Sequence, residues 1–442
     1  MLPVLDQPKL LEYWKPPKAV KHIRNKSSFL FTTPGNNTVA QNSNSNSEDR
    51  WKERGEEHSL DTKFVSVATV REMRGMSMPL GPPPKYELDD PNSLAPRWWD
   101  VRAWSMKRLA IFGVGVIVLI IVVVVIAVEV SKKNSYPNYS QLSYTLKDTY
   151  SGTDFFDNFD YFNTYDPANG FVHYVDSEVA AQYNLTYASS STSVLRVDTS
   201  VTADSSPNAS TGRFSVRITS KTQYSDGLFI FDIVHTPIGC ATWPALWLAD
   251  PDNWPTNGEI DIMEAVNVVS STKNQMTLHT TSGCSMNVKR KETGKATQSS
   301  CLNSTNSNAG CGVLGSSGSF GTNFNSAGGG IMAMELRSAG IRMWQFGRDA
   351  IPTDISSGNP DPSTWSEATA DFPNTNCDIG SHFKNQSIIV NIDLCGSWAG
   401  TQSIYDVDCP GTCTDYVANN ATAFKNAYWE FNNFTVYQAS SS

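Results

Sequence analysis

The first 239 residues contain no cysteine, whereas eight follow: Cys240, Cys284, Cys301, Cys311, Cys377, Cys395, Cys409 and Cys413. An even number confined to one part of the chain fits disulfides formed in a secretory lumen, and eight cysteines leave the pairing open. There is no Cys-x-x-Cys pair and no His/Cys cluster with ligand spacing, which argues against a structural zinc site. A phosphate-binding glycine loop is also missing; the glycines at 328–330 read as a turn between β runs. Redox and nucleotide chemistry have no visible site. Charge is sparse at 17% of residues and uneven: residues 1–108 hold 17 Lys+Arg against 13 Asp+Glu, although the chain as a whole is at −9. A basic front and an acidic remainder suggest two compartments rather than one nucleic-acid-binding body. No nucleic-acid partner is expected.

Charge vanishes altogether from Leu109 to Val128, twenty residues reading LAIFGVGVIVLIIVVVVIAV. About twenty apolar residues at 1.5 Å rise span a hydrocarbon core of roughly 30 Å. A buried core segment seldom needs such a run, and a cleaved signal peptide would lie nearer the N-terminus. Arg97, Arg102, Lys107 and Arg108 precede the span and only Lys132 and Lys133 follow closely, which favours a cytoplasmic N-terminus. Trp98, Trp99 and Trp104 suit the headgroup belt. Asn-x-Ser/Thr acceptors at Asn138, Asn184, Asn208, Asn303, Asn385, Asn420 and Asn433 agree with a glycosylated exterior. The expected layout is a disordered cytoplasmic tail (1–108), a transmembrane helix (109–128), a stalk (129–144) and a folded domain (145–438). The tail holds 11 of the 23 prolines and an Asn/Ser run, with little periodic apolar patterning. The expected location is the membrane, single-pass and type II, with the folded domain outside.

Beyond residue 143 short apolar or alternating runs (215–220, 227–234, 275–279, 331–336, 341–346, 387–392 and 428–437) are separated by Gly, Asn, Ser and Pro clusters. No amphipathic helix longer than three turns is evident, so the expected class is an all-β sandwich or barrel.

The chemistry concentrates in Gly258-Glu-Ile-Asp-Ile-Met-Glu264. Side chains alternate along a strand, so Glu259 and Asp261 share one face while Ile260 and Ile262 point inward. Strict alternation sends Glu264 to the wrong side; one extra residue at Ile262-Met263, a bulge, restores it. Three acids on one face cannot all ionise cheaply, which leaves one holding a proton. A retaining glycosidase needs that division between an ionised nucleophile and a protonated acid. A solvated sheet face is the plain alternative. Trp243 and Trp247 on one side of a neighbouring extended segment, with Trp254 before the acids, offer aromatic faces for sugar rings, although each also suits a sandwich core. His279 could orient a carboxylate or sit satisfied in the core.

Gly227-Leu-Phe-Ile, Thr242-Trp-Pro-Ala-Leu-Trp247, the Glu259–Glu264 motif, Thr277-Leu-His-Thr280, Cys395-Gly-Ser-Trp-Ala-Gly400 and Tyr428-Trp-Glu-Phe together resemble fungal laminarinase-like endo-1,3(4)-β-glucanases of glycoside hydrolase family 16. The resemblance covers about residues 145–438. It implies a β-jelly-roll sandwich with a concave substrate cleft, and a retaining, endo-acting hydrolase of β-1,3- or mixed β-1,3/1,4-glucan. Glu259 would be the nucleophile, Glu264 the general acid/base and Asp261 the residue that poises the nucleophile. Trp247, Trp254 and Trp398 would line sugar subsites, with His279 nearby. No cofactor is implied; a structural calcium is compatible with such sandwiches, but no ligands stand out. The anchor replaces a secretion signal, and Met332 and Leu336 stand where relatives often show tryptophan, which leaves cleft width open. A glucan transglycosylase, a weakly catalytic wall-remodelling protein and a non-catalytic glucan-binding module share the fold; three aligned acids favour catalysis.

Overall fold

A computed structural model describes residues 104–440. The expected tail therefore lies outside the described residues up to position 103. The apolar run forms one helix, Met106–Asn134, about 43 Å long at 1.5 Å per residue. None of the described residues covers its apolar stretch, Met106–Ser131, which is long and apolar enough to cross a membrane. The helix outruns the apolar run because nothing from Glu129 to Asn134 breaks it; Pro137 is the first residue that must.

Two eight-stranded sheets follow. In spatial order, one contains Lys295–Ala296, Cys311–Leu314, Gln275–His279, Glu259–Glu264, Thr242–Ala249, Gln386–Leu394, Arg217–Tyr224 and Phe159–Tyr161, paired antiparallel throughout. The other is centred on Gly330–Arg337, Gly227–His235 and Tyr428–Ala439. Tyr428–Ala439 pairs along one edge with Gly227–His235, and along the other with Ser193–Arg196 and Tyr144–Ser151. Between the sheets, Leu246, Leu248, Ile260, Ile388 and Val390 meet Phe229, Phe231, Met334 and Met343, all fully buried. Alternation makes this core: every second residue of each strand points inward. Helices in this domain are short, the longest being the seven-residue Cys413–Asn419.

Met332 and Leu336 also point into the core, with 0% and 1% of their surface exposed. They therefore bear on packing between the sheets and leave cleft width untouched. The eight cysteines pair as Cys240–Cys409, Cys284–Cys377, Cys301–Cys311 and Cys395–Cys413.

The segment expected as a stalk is largely docked. Tyr139 donates its hydroxyl proton to Asp371, and Tyr144 reaches Glu335 at 2.8 Å. Arg337 donates to the Ser140 carbonyl at 2.8 Å, and Gln141 to Asp361 at 2.8 Å. The Arg342 guanidinium lies 4.2 Å from the Tyr139 ring centre. The Pro/Asn/Ser texture reads as linker, but the tyrosine hydroxyls find buried carboxylates that composition does not reveal.

Candidate active site

The strand Glu259–Glu264 lies between Thr242–Ala249 and Gln275–His279. Glu259 stands opposite Ala249 and His279, Asp261 opposite Trp247 and Thr277, and Glu264 opposite Ala245 and Gln275. Ile260 faces Leu248 and Leu278 on the core side. The register slips after Asp261 against both neighbours and leaves Ile262 without a pair. The bulge therefore falls where strand parity requires it, and all three acids share the face turned from the core. Gly258 opens the strand at φ +75°, where a Cβ would sit 2.4 Å from the His382 carbonyl oxygen, so only glycine fits.

A bulge strands backbone groups, and here a side chain collects them. Fully buried Asn274 donates to the Ile262 carbonyl at 2.9 Å and accepts from the Glu264 N–H at 3.0 Å. Its own N–H is held by Ser319 at 2.7 Å. Sequence reasoning did not find Asn274, because the bond crosses a loop with no patterned signal. Asn274→Ala orphans two buried backbone groups at about 1–3 kcal/mol each. The expected result is a loss of roughly 3 kcal/mol in urea unfolding; wild-type stability would overturn this role for Asn274.

Each acid has a dedicated partner. The Trp254 indole N–H donates to Glu259, and Trp254 is 44% exposed. The Trp243 indole donates to Glu264 at 2.8 Å. Asp261 Oδ2 sits 3.3 Å from His279 Nε2, while Nδ1 of the same ring meets Asn308 Oδ1 at 3.0 Å. Asn308 belongs to the loop closed by Cys301–Cys311 and adopts φ +61°, a conformation asparagine tolerates.

Burial first, and then the charge of Asp261, raise both glutamates: Glu259 to about 7 and Glu264 to about 8. Burial alone would discharge His279, but Asp261 outweighs it, helped by Glu259 and Glu264, and lifts the ring to about 10. An imidazolium ion-paired with Asp261 through Nε2, with Nδ1 on Asn308 Oδ1, explains that direction. Glu259, Asp261 and His279 present oxygen and nitrogen atoms within 4.8 Å of one another, the spacing of a metal site. Both glutamates hold a proton more tightly than a free carboxyl, so the row favours a state in which at least one of them is neutral.

The expected aromatic residues do surround this row. Trp247 donates to Asn391 Oδ1 at 2.9 Å, and the Arg217 guanidinium lies 4.9 Å from its ring centre. Trp398, on the short helix Gly396–Ala399, meets Trp243 edge-on at 5.7 Å. Two disulfides, Cys395–Cys413 and Cys240–Cys409, tie this segment to the chain just before the Trp243 strand. Trp243, which sequence left between core and site, is half-buried on the acid-bearing face and bonds an acid directly. Arg217 and Asn391 were legible as strand residues only.

Residues 159–437 match the family model described as the XgeA-like catalytic domain of glycoside hydrolase family 16. A Schizosaccharomyces pombe protein described as a probable glycosidase is 46% identical over 310 residues, covering 69% of this chain and 72% of that one. The endo-1,3(4)-β-glucanase xgeA of Emericella nidulans is 38% identical over 68% of this chain. The chain spans about half (48%) of that enzyme's length. Among solved structures, laminarinase 16A from Phanerochaete chrysosporium, with β-glucans in donor and acceptor sites, aligns at TM-score 0.64 and 45% identity over 67% of this chain and 100% of its own. An elongating family 16 β-1,3-glucosyltransferase aligns at TM-score 0.61 and 41% identity, over 67% and 100%. The chain, with its bulged acid row on one face of a two-sheet sandwich, belongs to glycoside hydrolase family 16, in the XgeA-like group.

Proposed function

We propose that the domain, residues 145–438, hydrolyses β-1,3- or mixed β-1,3/1,4-glucans internally with retention of configuration. The observation that carries this reading is the bulge, which gathers Glu259, Asp261 and Glu264 on one face, where burial raises the proton affinity of both glutamates. Glu259 attacks the anomeric carbon while Glu264 protonates the leaving glycosidic oxygen; water activated by Glu264 then releases the sugar. Asp261, charged against His279, keeps a negative field beside both glutamates, so that Glu264 retains its proton. Trp247, Trp254 and Trp398 offer ring faces to successive glucose units, and Trp254 also holds the nucleophile's outer oxygen. His279 acts through Asp261 rather than on substrate.

The helix Met106–Ser131 serves as the membrane anchor, with the N-terminus cytoplasmic and the domain outside. All eight cysteines are paired, and the sequon asparagines Asn138, Asn184, Asn208, Asn385 and Asn420 are exposed, as an extracytoplasmic domain requires. A second reading, glucan transfer, is favoured by the 41% identity to the elongating glucosyltransferase. It uses the same glycosyl-enzyme and differs only in the acceptor.

Laminarin and lichenan supplied to intact cells displaying the chain test both levels. Expected products are shorter oligosaccharides born as the β-anomer, read by mass spectrometry and proton NMR. Oligosaccharides longer than the substrate select transfer. No depolymerisation, or an inverted anomer, sinks the catalytic reading; activity appearing only after permeabilisation sinks the orientation.

A further inference from the structure

Glu259 and Glu264 each accept from a tryptophan indole, but Asp261 has no such donor. Its Oδ2 is buried and accepts no hydrogen bond from the described residues. Its close partner is the His279 ring, an ion pair at 3.3 Å through Nε2. A ring that pivots carries Nε2 toward or away from Asp261, so whatever holds its other nitrogen decides how close the pair stays. Asn308 holds it: Nδ1–H donates to Asn308 Oδ1 at 3.0 Å. An amide oxygen only accepts, so this contact also fixes hydrogen on Nδ1.

Asn308 is exposed, yet its loop is built around His279. Thr280 N–H bonds the Cys301 carbonyl at 2.8 Å and Asn303 N–H bonds the Thr280 carbonyl at 2.9 Å, which ties the loop's start to the residue after His279. The loop's end returns as a strand, with Cys311 paired to Leu278, the residue before His279. The Cys301–Cys311 disulfide joins the two ends. Between them Asn306, Ser307 and Asn308 follow one another in the left-handed region, at φ +50°, +56° and +61°. A run of such residues is unfavourable for side chains that carry a Cβ. Asn308 N–H on the Thr305 carbonyl at 3.0 Å, and Ala309 N–H on the Asn306 carbonyl at 3.2 Å, hold it in place. Gly310 then passes close against the ring: a Cβ there would lie 2.7 Å from His279 Cε1 and 2.6 Å from Thr277 Cγ2. An unfavourable backbone kept at one spot beside an active site points to positioning.

We propose that Asn308 is a positioning residue for the nucleophile: it orients His279, His279 holds Asp261, and Asp261 poises Glu259. The inference rests on the reading of Glu259 as nucleophile given above. Asn308 acts through the ring and not on the sugar. Without its acceptor oxygen the ring is free to pivot, and Asp261 Oδ2 loses the one close partner it has among the described residues. The negative field beside Glu259 is then no longer fixed in place.

The test is a set of variants of the full-length chain in detergent, assayed on an aryl β-laminaribioside with an activated leaving group. Such a substrate needs no proton from Glu264, so kcat/KM reports attack by Glu259 whether water or glucan later accepts the sugar. Asn308→Ala should lower kcat/KM about tenfold, the equivalent of one hydrogen bond. Its melting temperature and its dissociation constant for a laminari-oligosaccharide should stay at wild-type values. Asn308→Asp keeps an acceptor oxygen and should recover kcat/KM to within about threefold of wild type. With His279→Gln already in place, Asn308→Ala should change kcat/KM by less than about twofold, since its effect passes through the ring. Wild-type kcat/KM in Asn308→Ala would overturn the proposal, as would a loss that persists beside His279→Gln or that Asn308→Asp does not recover. A loss matched by weaker oligosaccharide binding or by a lower melting temperature would overturn it too. A wild-type chain that releases no aryl group removes the catalytic reading and the positioning role with it, whereas an active wild type with an unaffected Asn308→Ala removes the role alone.

Discussion

Glu259→Gln is expected to lower kcat on laminarin by about four orders of magnitude or more while leaving the fold intact, the scale of loss when a covalent nucleophile is removed. Glutamine keeps the shape of the side chain and can still accept from the Trp254 indole, so the Trp254 contact survives and only the attacking charge is lost. The variant should also bind laminarin about as well as wild type, because Trp247, Trp254 and Trp398 remain in place. Burst kinetics with an activated aryl glucoside give the sharper reading: wild type accumulates a glycosyl-enzyme and the variant none. A variant retaining a tenth of wild-type turnover, with wild-type melting behaviour, would remove Glu259 from the nucleophile's role.

Glu264→Gln should lower kcat/KM on laminarin by about 10²–10⁴, the usual contribution of a general acid, and should reshape the pH profile. On the proposed roles the productive state has Glu259 charged and Glu264 neutral, so activity should rise through about 7 and fall through about 8. The two limbs belong to the pair, since each glutamate feels the charge around the other. With glutamine at 264 the alkaline limb disappears for substrates whose leaving group needs no proton. Stability changes in the opposite sense. Glu264 has a raised value in the fold, so the stability it contributes is complete below its ordinary 4.5 and is lost as pH rises through about 8. Glutamine stays neutral, so above pH 8 the variant should melt at a higher temperature than wild type. An alkaline limb unchanged in the variant would move the acid role elsewhere.

The acid row was legible because it follows from a period of two. Glu259, Ile260 and Asp261 alternate strictly, and the single break in parity before Glu264 locates the bulge at Ile262-Met263 without any structure. What stabilises that break was not legible. Asn274 lies ten residues past Glu264, and its two bonds depend on how the next strand returns. The Asn308 contact to His279 likewise needs the Cys301–Cys311 pairing, one of many that eight cysteines allow. Trp243 stayed ambiguous for a different reason: in Thr242-Trp-Pro-Ala-Leu-Trp247 both tryptophans fall on one face, but nothing local says which face meets the acids. Within the segment expected as a stalk (129–144), the tyrosine hydroxyls bonded to Asp371 and Glu335 leave no trace in local composition.

The strand Tyr428–Ala439 has a bearing on how the protein is made. It is an interior strand of its sheet, filling the gap between Gly227–His235 on one side and Tyr144–Ser151 with Ser193–Arg196 on the other. Those flanking strands emerge from the ribosome hundreds of residues before it. Until it arrives they present bare edges capable of pairing with other chains. The sheet therefore cannot close during synthesis by N-to-C accretion; it closes as a late insertion, once the last of these strands has been made. Premature stop codons before Tyr428 should thus yield chains that aggregate rather than shorter active enzymes, however complete the acid row is.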